Sequence, residues 1–187
     1  MKNILKNRLA LSTVVTTLII LVVSVLLAGV VTYFAINVTS TRVEEESLSL
    51  TKQHVWVEQD GTAIAAIMVT STGGRDLVLS KIAVRGQPVD MATQVWYAVA
   101  VSSDDLTVDL NYTAGATISA TAVFGNISDT PQKPTGNALV LPSGATMAIY
   151  VTTPDSVTTN DIGLTIGMTV FTSQAMYYKE ANVEAAL

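Results

Sequence analysis

Residues Val14 to Ile36 read VVTTLIILVVSVLLAGVVTYFAI, an apolar stretch whose only ionisable side chain is that of Tyr33. As a helix rising ~1.5 Å per residue, about 23 residues extend roughly 35 Å and reach across a bilayer core. The stretch is too long for the apolar region of a secretory signal peptide, which has about 7–15 residues. It therefore predicts a membrane-spanning helix that stays in the mature protein.

Charged residues lie asymmetrically around this stretch. Lys2, Lys6 and Arg8 precede it with no acidic residue, whereas Arg42 and then Glu44, Glu45 and Glu46 follow it. Because Lys and Arg are retained on the cytoplasmic side of a membrane, we expect the N-terminus to be cytoplasmic. The chain from about Asn37 onward is then exported.

The composition limits what the exported part is. The chain has 187 residues, a net charge of −5 and no cysteine. About 150 residues follow Ile36, and about 135 of them belong to the predicted β-domain that begins at His54, which suits one domain with its own core. Without cysteine there is neither a disulfide framework nor a thiolate metal site. The acidic balance argues against nucleic acid as a partner.

The apolar helix is expected to continue past the membrane and to end between Glu46 and Gln53. This predicts three segments, namely a basic leader at 1–8, a helix at 9–53 and a β-domain at 54–187. Small or hydroxyl-bearing residues recur in the helix at intervals of three, four or seven, which is typical of a face where helices pack closely. They are Thr17, Ser24, Ala28, Thr32, Ala35 and Thr39. An alternative interpretation is that small residues are simply common in membrane helices.

From His54 onward the apolar residues alternate, as in strands. His54–Glu58 and Ala63–Thr70 flank Asp60-Gly61 and predict a β-hairpin. Further strands are predicted at 77–85, 96–101, 117–124, 138–141, 146–152, 162–172 and 174–180, with one helical turn within 154–161. About seven to nine short strands indicate an antiparallel sandwich or barrel. The predicted fold class is α+β, a long N-terminal hydrophobic helix followed by an all-β antiparallel, immunoglobulin-like sandwich.

Few residues in the chain point to chemistry. His54 is the only histidine, so we expect it to be structural and the protein not to be an enzyme. Asp104, Asp105 and Asp109 lack the oxygen spacing of a calcium loop, and a solvated loop is the preferred interpretation. No metal or cofactor is expected. The Asn-x-Ser/Thr triplets at Asn37, Asn111 and Asn126 are candidate N-glycosylation sites, with Asn37 the least favoured.

The N-terminal pattern resembles that of archaeal type IV pilin-like proteins, a superfamily that includes archaellins and adhesive pilins. The resemblance is carried by the leader ending in Lys6-Asn7-Arg8, the helix beginning Leu9-Ala10-Leu11-Ser12-Thr13 and the β-domain after it. It implies an archaellin-like sandwich and a leader cleaved near Leu9 by a prepilin-peptidase-like enzyme. The chain departs from the family in having Asn7-Arg8, without a small residue, before the cut.

The resemblance implies a structural subunit of an extracellular archaeal filament, either a swimming archaellum or an adhesive pilus. Identical subunits would leave the membrane and polymerise through their helices, because a bundle of helices also buries apolar surface. The alternative is a monomeric cell-surface receptor or adhesin of the same fold, held permanently in the membrane. A membrane-anchored hydrolase is a third class, and the chain offers it no recognisable second catalytic base.

Overall fold

The computed structural model describes residues 8–101, 106–114, 118 and 131–186. The helix α1 spans Arg8–Glu44, 37 residues in all. Its stretch Leu11–Thr41 is long and apolar enough to cross a membrane, with a mean hydropathy of 2.9 and none of its most apolar window buried. The chain divides into this helical unit and a β unit that begins at Glu44.

The β unit contains nine strands within the described residues. They are β1 Leu48–Val57, β2 Ala63–Ser71, β3 Leu77–Val84, β4 Gln87–Pro88, β5 Val95–Val99, β6 Leu139–Leu141, β7 Thr146–Thr152, β8 Thr165–Thr172 and β9 Met176–Ala185. A short 3-10 helix at Thr159–Asp161 precedes β8.

The strands form one curled, mixed sheet that folds into two layers. Its order is β4-β3-β8-β9-β1-β2-β7-β5, with β6 added beside β3. The turn of the sheet lies in β9, which pairs antiparallel with β8 from Met176 to Asn182 and then parallel with β1 from Val183 to Ala185. We call β5-β7-β2-β1 the β1 layer and β3, β4, β6, β8 and β9 the β8 layer.

A bulge in β1 determines which of its residues face the core. Leu48 and Leu50 are buried before the bulge, and Val55 and Val57 are buried after it, all in the core between the layers. The pairing with β2 shifts between Thr51 and His54, and Lys52 adopts a φ of 51° there. Because side chains alternate along a strand, the irregularity reverses the face on which the even-numbered residues lie.

The outer face of the β1 layer is covered as well. A second buried cluster includes Trp56, Ile64 and Tyr150 from the strands, together with Leu110 and Ile118 from the segment that crosses them. This explains why β2 and β7 are almost continuously buried and read as unbroken apolar runs.

Several sequence predictions agree with the structure. The α+β class is confirmed. The β1–β2 hairpin is confirmed, with Val57 opposite Ala63 and Gly61 at a φ of 94° in the turn. The strand predicted at 146–152 is β7 itself, and the helical turn predicted within 154–161 is the 3-10 helix. The strand predicted at 117–124 lies outside the described residues, apart from position 118.

Two predictions are corrected. The helix ends at Glu44 rather than between Glu46 and Gln53, since Leu48 and Leu50 pair with Ser71 and Val69 in the sheet. The sheet is not wholly antiparallel, because the end of β9 runs parallel to β1. Both features depend on residues distant in sequence, and local patterning does not reveal such pairings.

Candidate functional site

The structure brings His54 and Asp109 together. His54 Nε2 lies 3.0 Å from Asp109 Oδ1, and the imidazole stacks on the Trp56 indole at 5.1 Å between ring centroids. The two side chains are 24% and 63% exposed. Desolvation raises the pKa of Asp109, but the hydrogen bonds from His54 and from the Leu110 amide outweigh it, and the pKa lies below its ordinary value.

This pair is one link in a longer row that we call the β1 clasp, defined by Lys52, His54, Trp56 and Glu58 facing the segment 106–114. The Lys52 ammonium donates to the Leu106 and Val108 carbonyls. Trp56 meets the Tyr112 ring edge-on at 5.9 Å, and the Tyr112 hydroxyl donates to Glu58. The clasp fastens the segment 106–114 along β1.

The buried phenol of Tyr150 also holds the segment 106–114. The Tyr150 hydroxyl donates to the Asn111 carbonyl at 3.0 Å, and burial raises the pKa of Tyr150. The side chain of Asn111 remains exposed, as a glycan acceptor must be, so modification there stays a prediction. Asn37 lies within α1, where its carbonyl accepts from Thr41, and Asn126 lies outside the described residues.

The remaining predicted site residues belong to the N-terminal region. Lys6 and Asn7 lie outside the described residues, and Arg8 and Leu9 begin α1. On the proposed packing face, the hydroxyls of Thr17, Ser24 and Thr32 donate to carbonyls of their own helix three or four residues earlier. Ala28 and Ala35 are exposed beside them, so helix packing at this face stays a prediction.

The predicted calcium candidates are only partly visible. Asp109 contacts His54 and the Leu110 amide, while Asp104 and Asp105 lie outside the described residues. Among the residues that the structure describes, no group of three or more His, Asp or Glu side chains is placed to hold a metal ion.

An ion pair that the sequence did not suggest holds the chain before β8. Arg85 Nη1 donates to Asp161 Oδ1 at 2.7 Å, and the Asp161 side chain is 8% exposed. The backbone amide of Thr158 bonds the same carboxylate, and this bond, followed by those from the Thr158 hydroxyl and Arg85, lowers the pKa of Asp161 against desolvation. The arrangement is structural, since it ties the β3–β4 turn to the 3-10 helix.

The outer face of the β8 layer exposes apolar side chains, whereas that of the β1 layer carries the second buried cluster. Large apolar side chains stand exposed there on adjacent strands, and we call this surface the aromatic face. Its exposed members are Val78 of β3, Val140 of β6, and Met176 and Tyr178 of β9, and Phe171 of β8 is half-buried among them. Met176 is 69% and Tyr178 59% exposed, and Lys81 Nζ lies 4.6 Å from the centre of the Phe171 ring.

Tyr178 is positioned by the absence of a side chain at Gly167, its diagonal neighbour on β8. A Cβ at Gly167 would lie 2.3 Å from Tyr178 Cε2, so only glycine allows the phenol to lie against β8 at this point. The Tyr178 hydroxyl donates to Glu180 Oε1 at 3.0 Å, two residues further along the same face. The period-two pattern Met176, Tyr178, Glu180, Asn182 is the sequence signal from which this face was predictable.

Comparison with known proteins returns little. No family model matches the chain, and no curated protein matches it. A solved structure described as the apo PmoF2 PCuAC domain aligns with a TM-score of 0.42 and 12% identity, over 76% of this chain and 95% of that one.

These comparisons overturn the predicted family. No family model and no curated protein links the chain to pilins, and the solved structure named above is described as a PCuAC domain. The assignment to the archaeal type IV pilin-like superfamily is therefore wrong, and so are the functions taken from it, a motile archaellum or an adhesive pilus. An extracellular filament is not supported as the location. The leader and helix that suggested it are features that a membrane anchor shares.

Proposed function

We propose that this chain is a membrane-anchored surface protein whose β unit acts as a receptor-like binding module outside the cytoplasm. α1 remains in the bilayer, with the basic N-terminus on the cytoplasmic side. The β unit supplies the binding surface, for which the aromatic face is the candidate. For this fold the sequence left open a filament subunit and a monomeric surface receptor or adhesin. The proposal is the second of these.

The observation that carries the proposal is the surface of α1. Its large apolar side chains are exposed throughout, from 45% at Val22 to 67% at Tyr33. No Asp, Glu, Lys or Arg occurs from Leu9 to Thr41. Each large apolar side chain left in water costs about 1.5–3 kcal/mol relative to burial, so about twenty of them require an apolar environment.

The polar side chains within α1 are compatible with lipid. The hydroxyls of Thr16, Thr17, Ser24, Thr32, Thr39 and Thr41 all donate to carbonyls of their own helix. A donor satisfied in this way does not need water. At ~1.5 Å per residue the apolar stretch also exceeds a hydrocarbon core of about 30 Å, which leaves room for tilt.

Fractionation of cells that express the full chain tests the anchor. We expect the chain in the membrane pellet after alkaline carbonate washing and in the supernatant after detergent. Protease added outside should degrade the β unit and spare an N-terminal tag. A mature N-terminus beyond Ile36 would overturn the proposal, since α1 would then be a removed signal sequence.

A further inference from the structure

We propose that Asn111 is the acceptor of an N-linked oligosaccharide. The inference rests on the proposed function, because sequons are modified on the exported part of a chain and α1 places the β unit outside the cytoplasm. It selects one of the three Asn-x-Ser/Thr triplets of the chain, Asn111-Tyr112-Thr113.

The modification joins the side-chain amide to a sugar. Asn111 Nδ2 attacks the anomeric carbon of an oligosaccharide carried on a lipid diphosphate, and a transferase of the cell supplies the catalytic groups. The new N–C bond forms as the bond between that carbon and the phosphate oxygen breaks, so the lipid diphosphate leaves with the electron pair. Nδ2 gives up one proton to a base. An accessible amide in a readable triplet is all that this chain has to supply.

The Asn111 side chain is accessible, whereas the side chains on either side of it are packed. Leu110 is 3% exposed, and Tyr112 is half-buried with its ring edge-on to Trp56 at 5.9 Å between ring centroids. Asn111 between them is exposed, and the stretch from 109 to 114 forms neither helix nor strand. An exposed, irregular segment is where a transferase can reach the amide of a sequon.

The main chain at Asn111 is held while its amide is free. The Asn111 carbonyl accepts from the Tyr150 hydroxyl at 3.0 Å. Within residues 8–101, 106–114, 118 and 131–186, no group bonds the Asn111 side-chain amide. Because the β1 clasp does not use this side chain, a sugar attached to it leaves the contacts of the clasp intact.

The triplet at Asn37 differs in each of these properties. Asn37 lies in α1, within the part that is long and apolar enough to cross a membrane. The hydroxyl of Thr39, the third residue of that triplet, donates to the Ala35 carbonyl at 2.8 Å. The corresponding hydroxyl of Thr113 has no partner among the residues that the structure describes. The third triplet, at Asn126, lies outside the described residues.

The acceptor lies on one side of the β unit. The segment 106–114 covers the outer face of the β1 layer, whereas the aromatic face is the outer face of the β8 layer. An oligosaccharide on Asn111 therefore shields the covering segment and leaves the aromatic face open.

Mass spectrometry of the native chain tests the assignment. The full chain is extracted with detergent from the membranes of the cells that produce it and is cleaved after aromatic residues. Trp56 and Phe124 separate the three triplets, so each is found in a different peptide. We expect the mass of an oligosaccharide on the peptide that contains Asn111 and none on the peptide that contains Asn37.

Variants of Thr113 are the matched controls, since they leave Asn111 and its contacts unchanged. Thr113→Ala removes the hydroxyl of the triplet and should abolish the modification, whereas Thr113→Ser keeps a hydroxyl and should retain it. Thr39→Ala should leave the oligosaccharide on Asn111 in place. Retained near-ultraviolet circular dichroism shows that each variant is folded.

Two results would overturn the inference. One is an Asn111 peptide that is found only unmodified, and the other is an oligosaccharide that persists in Thr113→Ala. Protease added outside the cells then shows which proposal has failed. Degradation of the β unit means that the chain is exported and that only the glycosylation inference is wrong, whereas complete protection means that the proposed membrane topology is wrong.

Discussion

His54 and Asp109, whose side chains meet at 3.0 Å, connect β1 to the segment that covers its outer face. Replacing Asp109 by Asn should lower the free energy of unfolding by about 0.2–1 kcal/mol, the range for a contact between largely exposed side chains of this kind. The amide oxygen can still accept from Leu110, so the change reports mainly on His54. Urea unfolding of the full chain in micelles measures this change in the free energy of unfolding. Asp155→Asn, at an exposed position, is the control, and an equal loss there would contradict the assignment.

The β unit should become less stable as the pH falls. The pKa values of Asp90, Asp109 and Asp161 all lie below the ordinary 3.8 in the folded chain. Their stabilising contribution is therefore fully present above that value and is lost as the pH falls through the lowered folded pKa values. Thermal unfolding at a series of pH values below about 5 should show a falling midpoint.

The double variant Asp109→Asn, Asp161→Asn should flatten this acid dependence, since it removes two of the three carboxyl groups named above whose pKa values are lowered. A midpoint that rises on acidification, or a pH profile identical to that of the parent chain, would show that other groups control the transition. Thermal unfolding of the parent chain and of the double variant over the same pH series gives both pH profiles.

An added methyl group at Gly73 should be harmful, because it would meet backbone atoms. A Cβ there would lie 2.8 Å from the Glu45 carbonyl oxygen and 2.9 Å from the Ser47 nitrogen, both backbone atoms. Gly73→Ala should therefore cost about 1–3 kcal/mol in unfolding free energy, because backbone cannot move aside as a side chain can. Gly136→Ala is the control, since nothing lies within 4 Å of its Cβ position. Equal stability of the two variants would refute this prediction.

A charged residue in the middle of α1 should reduce the share of the chain that is retained in the membrane. Leu26 is 64% exposed, and Leu26→Arg places a cation where insertion costs about 2.5–3.5 kcal/mol. We expect a smaller share of the chain to resist carbonate extraction. Leu26→Ala shortens the side chain without adding charge and should remain in the membrane. Complete retention of the arginine variant would mean that this position does not face lipid.

Much of the fold was predictable because it depends on local sequence. The helix follows from an uninterrupted apolar run, and the β1–β2 hairpin follows from Asp60-Gly61 between two alternating segments. β7 was predicted at its observed bounds, Thr146–Thr152. In each case the backbone preference and the pattern of apolar residues lie in one short stretch of chain.

The candidate site was less predictable, because its contacts join residues far apart in the chain. His54 meets a residue 55 positions away, and Tyr178 lies over Gly167 of the neighbouring strand. The sequence places His54 two residues from Trp56 in one predicted strand, but it does not indicate that Asp109 is the partner of His54. The pilin resemblance failed because a basic leader and an apolar helix satisfy the needs of any membrane anchor.

The sequence by itself determined that this protein has an apolar helix requiring lipid or an equivalent environment, and a single β unit without disulfides. These properties follow from composition and periodicity, which act before any long-range contact forms. The tertiary structure decided where the helix ends, which strands pair in parallel and which outer face of the sheet exposes large apolar side chains. Those outcomes depend on pairing and packing between distant residues, so they exist only once the sheet has closed around its core.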